Sequence, residues 1–210
     1  MGPLEVLHRD DDVLVLNKPS GLLSVPGNRP DLLDSLEGRA KALHPTATIV
    51  HRLDGDTSGV MVMGLHRAAV RALGRQFETR AVSKTYEAIV WGDMADDEGV
   101  VDLPLRCDWP NRPRQMVDRG GGKPAWTAWR REARLPEPAR TRVALRPTTG
   151  RSHQLRVHMM SLGHPILGDA FYAGDDAFDA APRLLLHAHR LTFAHPLDGR
   201  RMTFTAPVPF

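Results

Sequence analysis

An α+β fold, with helices around a mixed, largely antiparallel sheet, is what this sequence predicts, and three features predict it. Short apolar runs come in pairs divided by turn residues, as hairpins require. A few helical periodicities lie among them. No strand–helix–strand rhythm or internal repeat connects them, which argues against a parallel sheet.

The elements follow in order. "LEVLHRDDDVLVLNKPSG" reads as two strands around Asp10-Asp11-Asp12, ending in the turn Lys18-Pro19-Ser20-Gly21. "DLLDSLEGRAKALH" has helical spacing through Leu32, Leu33, Leu36 and Leu43, with Asp31 as its expected cap. In "VHRLDGDTSGVMVMG", Asp, Thr, Ser and Gly supply turn chemistry, and Val60-Met61-Val62-Met63 reads as a short buried strand. Asp54 is therefore expected on a loop braced against a strand, where functional side chains are commonly held. "RAAVRALGRQFET" is a second helix, weakened by Gly74. "AVSKTYEAIVWG" alternates Tyr86, Ala88 and Val90 against Thr85, Glu87 and Ile89, a strand closed by Gly92. The middle of the chain, from Asp108 to Pro147, is rich in Pro, Gly and Arg and predicts hairpins. Its Gly120-Gly121-Gly122-Lys123 lacks the spacing and following helix of a phosphate loop and reads as a hairpin turn. Ser152 to Leu162 reads as a helix, with Gly163 as its stop and Pro165 beyond. The chain closes on two strands around Asp198-Gly199.

Composition narrows the class. No apolar run approaches the roughly 18 residues of a membrane span, and the N-terminus lacks the apolar stretch of a secretion signal. The single Cys107 excludes an intrachain disulfide and fits a reducing cytoplasm, so a cytoplasmic protein is expected. Net charge is only +3, yet 24 of the 28 basic residues are arginine. Arginine suits phosphate and base recognition because its planar fork binds bidentately and stacks on rings. Codon usage in a GC-rich genome would give the same bulk excess, so only the positions of individual arginines bear on nucleic acid.

Two constellations invite chemistry and fall short. Ten histidines include His187 with His189 and His153 with His158, but zinc wants three or four convergent ligands, and no metal is expected here. Asp54-Gly55-Asp56-Thr57 fits the D-x-D-x-T pattern of aspartyl-phosphate phosphatases, with Asp54 as nucleophile and Asp56 as acid. That pattern follows a wholly apolar strand, whereas His51-Arg52 interrupt this one.

A longer match is more specific. "HRLDGDTSG" resembles the H-R-L-D-x-x-T-S-G motif of the RluA-type pseudouridine synthases. "KPSGLLSVPG", "SKTYEAIVWG", "GRSHQLRVHMMSLGHPILGD" and "RLLLHA" resemble that family's other segments, in the family's order, and together they cover nearly the whole chain. The "CDWPNRPRQMVD" stretch and the compact length are similar to the dual-specificity member, which acts on certain tRNA anticodon loops and on a uridine in 23S ribosomal RNA. The resemblance implies a single pseudouridine synthase domain over 1–210, without an S4 domain. It also implies a central sheet flanked by helices with a central RNA-binding cleft, and a reaction without cofactor. The departures are mild: Gly55 stands at a variable position, and Ser152 replaces a commoner Thr.

The implied reaction detaches uracil from its ribose at N1 and reattaches it through C5. Glycosidic cleavage leaves oxocarbenium character at C1′, which a carboxylate stabilises or attacks. By its motif position Asp54 is that carboxylate. Attack at C1′ and removal of a C2′ proton to give a glycal are both open to it. A buried carboxylate stays ionised when a cation adjoins it, and the resemblance assigns Arg156 to that role. It assigns Tyr86 to stack on the uracil and take the C5 proton. Arg52 would fill the space left by the flipped nucleotide. Lys84, Arg151 and His153 would contact phosphate or ribose. The expected partner is therefore a tRNA or 23S rRNA stem-loop, bound by a monomer. A phosphatase and a non-catalytic RNA-binding or assembly module are the rival readings.

Overall fold

The computed structural model describes residues 4–136 and 138–210. In chain order its elements are β1 (Glu5–Arg9), β2 (Val13–Lys18), α1 (Leu36–Leu43), β3 (Thr48–Ile49), β4 (Ser58–Gly64), α2 (Arg67–Glu78), β5 (Ser83–Trp91), β6 (Glu98–Asp102), β7 (Leu105–Cys107), β8 (Gln115–Val117), β9 (Trp126–Leu135), β10 (Arg140–Pro147), α3 (Gln154–Ser161), α4 (Asp175–Asp179), β11 (Leu186–Ala194) and β12 (Arg201–Thr205). This is the expected α+β class. The chain gathers into two compact units: one ends at Lys84 and takes in His187–Pro209, the other comprises Thr85–Leu186 and Phe210. No helix among the described residues is long and apolar enough to cross a membrane.

In the first unit β2 lies antiparallel to β4, from Val13 opposite Gly64 to Lys18 opposite Gly59. Strand β1 pairs with β2, and β12 with β11, both antiparallel. Strand β11 joins β4 in parallel through His187 opposite Ser58 and Ala188 opposite Gly59, a pairing the hairpin pattern did not suggest. Val13, Val15, Val60 and Val62 pack with Leu73 of α2 and with Leu191 and Phe193 of β11. Leu14, Leu16, Met61 and Met63, which point the other way, are equally inaccessible to solvent. Burial on both faces explains why these strands read as unbroken apolar runs instead of alternating.

Asp31 is not the cap of α1. It lies in a short 3-10 turn, Pro30–Leu32, and the cap is Ser35, whose Oγ accepts a hydrogen bond from Gly38 N at 3.1 Å. Ser35 has the extended backbone a cap needs, and Asp34 is engaged by Arg39 through two hydrogen bonds. Gly74 is accommodated within α2.

In the second unit the strands run β5-β10-β9-β6, all antiparallel, with Tyr86 opposite Leu145. The core joins Ala88 and Val90, Val143 and Leu145, Trp129, and Leu155 and Met159 of α3. Strands β7 and β8 form a separate hairpin. The Gly120-Gly121 turn accepts its ordering from Asp118, whose Oδ1 takes hydrogen bonds from both glycine N–H groups. Helix α3 begins at Gln154, two residues later than expected. His153 sits in the left-handed region (φ 51°, ψ 18°), so the helix cannot extend back through it.

Candidate active site

The loop that carries Arg52 and Asp54 is fastened from behind by the segment after β2. Lys18 is fully buried, and its ammonium donates to the carbonyls of Pro19 (2.9 Å), Leu22 (2.6 Å) and Gly55 (2.8 Å). Ser24 Oγ donates to Leu53 O at 2.6 Å and accepts from Leu53 N at 3.0 Å. Ser20 Oγ donates to Asp56 O at 2.7 Å, and Gly21 N donates to Gly55 O at 2.9 Å. A buried ammonium is tolerated because all three of its N–H bonds are used. The backbone on either side of Asp54 is thus held, with Leu53 buried, Asp54 half-buried and Arg52 exposed.

The remaining residues of "HRLDGDTSG" anchor this loop to the sheet. His51 stacks on Phe77 with centroids 4.3 Å apart, and its Nε2 accepts from Val62 N at 3.1 Å. Burial, reinforced by the charge of Lys84, pushes the His51 pKa down to about 3, so its ring is neutral. Burial also lowers the pKa of Lys84, with Arg80 adding to the effect. Ser58 Oγ bonds His187 Nδ1 at 2.9 Å. Gly59 (φ +119°) lies where a Cβ would meet Ala188 O at 2.3 Å, so no side chain fits against the parallel strand.

The second unit carries Tyr86, Arg151, His153 and Arg156. Tyr86, half-buried on β5, packs against the core that includes Leu155. Arg156 is 1% exposed and makes a bidentate pair with Asp169, itself 0% exposed: Nε to Oδ2 at 2.8 Å and Nη2 to Oδ1 at 2.5 Å. Asp169 Oδ1 also accepts from the backbone N–H groups of Phe171 and Tyr172, whose rings lie 5.0 and 5.2 Å from the Arg156 guanidinium. His153 Nδ1 is 2.7 Å from Tyr172 Oη. Arg151 donates through Nε to Pro124 O at 3.1 Å, while its backbone N–H donates to Gln154 Oε1 at 3.0 Å. Gln154 is buried and ties this loop to Trp126 O and Thr127 Oγ1.

Sequence reasoning missed Lys18, Ser24, Gln154, Asp169 and Tyr172 as parts of this scaffold. The available signals were a lysine ending an apolar strand and an aspartate closing "HPILGD". The histidines considered as metal ligands are hydrogen-bonded within the fold: His187 and His189 to Ala206 O, and His158 to Thr127 Oγ1 and Leu103 O. Among the described residues, Asp10, Asp12 and His195 do bring donor atoms within 4.8 Å of one another. His195 Nε2 there lies 3.4 Å from each carboxylate.

Comparison with known proteins identifies the family. The model of the RNA pseudouridylate synthase family matches residues 12–161. The chain belongs to this family.

As a pseudouridine synthase it is an isomerase that converts uridine to pseudouridine. It is 55% identical to the dual-specificity RNA pseudouridine synthase RluA of Escherichia coli strain K12, over 99% of this chain and 94% of that one. It is 51% identical to the RluA of Pasteurella multocida over the same shares. Among solved structures it is similar to human RNA pseudouridylate synthase domain containing 1, with a TM-score of 0.83 at 29% identity, covering 100% of this chain and 87% of that one. Human RNA pseudouridylate synthase domain containing 4 gives a TM-score of 0.74 at 28% identity, over 98% and 88%. Nothing in these comparisons favours the phosphatase reading of residues 54–57. The carboxylate of Asp54 stands on a loop whose backbone is fastened on both sides.

Proposed function

We propose that this synthase acts on uridines in structured RNA loops, namely tRNA anticodon loops and a 23S rRNA hairpin, with Asp54 as the reacting carboxylate. The reading rests on the fastening of the Leu53–Asp56 backbone by Lys18, Ser20 and Ser24, in a chain so similar to dual-specificity relatives. Asp54 acts at the ribose, by attack at C1′ or by removing the C2′ proton. Tyr86 stacks on the uracil and takes the C5 proton. Arg156 supplies positive charge in a guanidinium plane already oriented by Asp169. Arg52, exposed two residues before Asp54, fills the space of the flipped nucleotide, and Lys84, Arg151 and His153 contact phosphate or ribose. The enzyme works as a monomeric catalytic domain in the cytoplasm and needs no cofactor.

Release of tritium from transcripts labelled at uridine C5 tests this directly, comparing tRNA with 23S fragments in the presence of EDTA. Release from both supports dual specificity. Release from one alone narrows the substrate, and release from neither contradicts the proposal.

A further inference from the structure

We infer that the tip of the β7–β8 hairpin is an RNA-docking surface, with Trp109 as a base-stacking platform and Arg112 as its cationic partner. The inference rests on the proposed RNA substrate and adds a contact outside the residues assigned above.

Charge points to the partner. Residues 106–123 hold five basic residues (Arg106, Arg112, Arg114, Arg119, Lys123) against Asp108 and Asp118. This short segment therefore carries +3, as much as the whole chain. Such a concentration of guanidinium groups suits a phosphate backbone.

Geometry points to the mode of contact. Residues 109–114 are all exposed, and Trp109 is 64% exposed, which is unusual for so large an apolar ring. The Arg112 guanidinium lies 4.5 Å from the centroid of the Trp109 ring. A nucleic-acid base can extend such a stack, because single-stranded loops are bound on aromatic and guanidinium planes. The tip is ordered before binding. Asp108 N donates to Arg114 O, Asn111 N to Asp108 O and Arg114 N to Asn111 O, each at 3.0 Å, while Asn111 Nδ2 donates to Asp108 Oδ2 at 2.9 Å. A platform that is already fixed loses little entropy on binding.

The hairpin is also tied to the candidate catalytic arginine. Gln115 N, at the start of β8, donates to Tyr172 Oη at 2.7 Å. The same hydroxyl meets His153 Nδ1, and the Tyr172 ring flanks Arg156. At the hairpin's base, Leu105 packs with Val157 of α3, and Val117 and Tyr172 pack against them. RNA stacked on Trp109 is thereby set at a fixed distance from Arg156.

The test is the affinity of a fluorescent tRNA anticodon stem-loop for wild type, Trp109→Ala, Trp109→Phe and Arg112→Ala, with tritium release measured at limiting RNA. Trp109→Ala weakens binding about ten- to a hundredfold and lowers release by the same factor. Trp109→Phe keeps most of the affinity, and Arg112→Ala lowers the slope of log affinity against log salt by about one contact. Unchanged urea midpoints in these exposed variants assign the losses to binding. Wild-type affinity in Trp109→Ala overturns the hairpin's role while leaving the proposed substrate standing. A wild type that neither binds nor converts any RNA overturns both.

Discussion

The ammonium of Lys18 donates to the carbonyl of Gly55, 37 positions along the chain and adjacent to Asp54, at 2.8 Å. It donates in addition to the Pro19 and Leu22 carbonyls. One buried cation thus closes its own turn and fixes the loop that bears Asp54, the carboxylate proposed to react.

Lys18→Met should therefore cost both stability and turnover. Removing the donor leaves buried carbonyls unsatisfied at about 1–3 kcal/mol each, so a loss of about 3 kcal/mol or more is expected in urea unfolding. Turnover, measured where the variant is still folded, should fall at least about tenfold as Asp54 loses its fixed position. Full turnover in a folded Lys18→Met protein would show that the loop holds itself.

The Arg156–Asp169 pair separates structural from chemical work. Asp169→Asn removes the carboxylate charge of a fully buried bidentate pair and should cost about 3–5 kcal/mol. Replacing both, Arg156→Met with Asp169→Leu, removes the buried pair as a whole and should recover much of that stability. It should not recover pseudouridine formation. A stable, active double variant would confine Arg156 to holding the fold.

Acid should act through His51 before it acts on ordinary carboxylates. Its pKa is pushed down from 6.5 to about 3, so between these values the unfolded chain binds a proton that the folded chain does not. The stability from keeping this ring neutral is full above pH 6.5 and is lost progressively as pH falls towards 3. His51→Gln, whose side-chain oxygen can still accept from Val62 N–H, removes that titration. Urea midpoints of wild type should decline more steeply than those of His51→Gln across this window. Parallel profiles would place the acid response elsewhere.

The legible parts of the sequence were those written locally. Asp54, Thr57, Ser58 and Gly59 announce a turn entering a strand, and β4 follows at Ser58. The hairpin at Asp10–Asp12 was readable for the same reason, since Asp10 Oδ1 accepts from the N–H groups of Asp12 and Val13. The roles that escaped depend on contacts distant in sequence. Lys18 is informative only beside Gly55, and Asp169 only beside Arg156. Tyr172 gains its meaning from Gln115, 57 positions away. Ser35 displaced Asp31 as a cap because capping follows backbone geometry, which spacing of leucines does not reveal. His153 shortened α3 through a left-handed conformation that histidine adopts rarely.

The most direct test of the central claim is tritium release from C5-labelled tRNA by Asp54→Asn, alongside a circular-dichroism melt that verifies its fold. If Asp54 is the reacting carboxylate, the folded variant releases no tritium above background while wild type turns over under the same conditions. A folded Asp54→Asn protein with substantial turnover would contradict the assignment of the reaction to this residue.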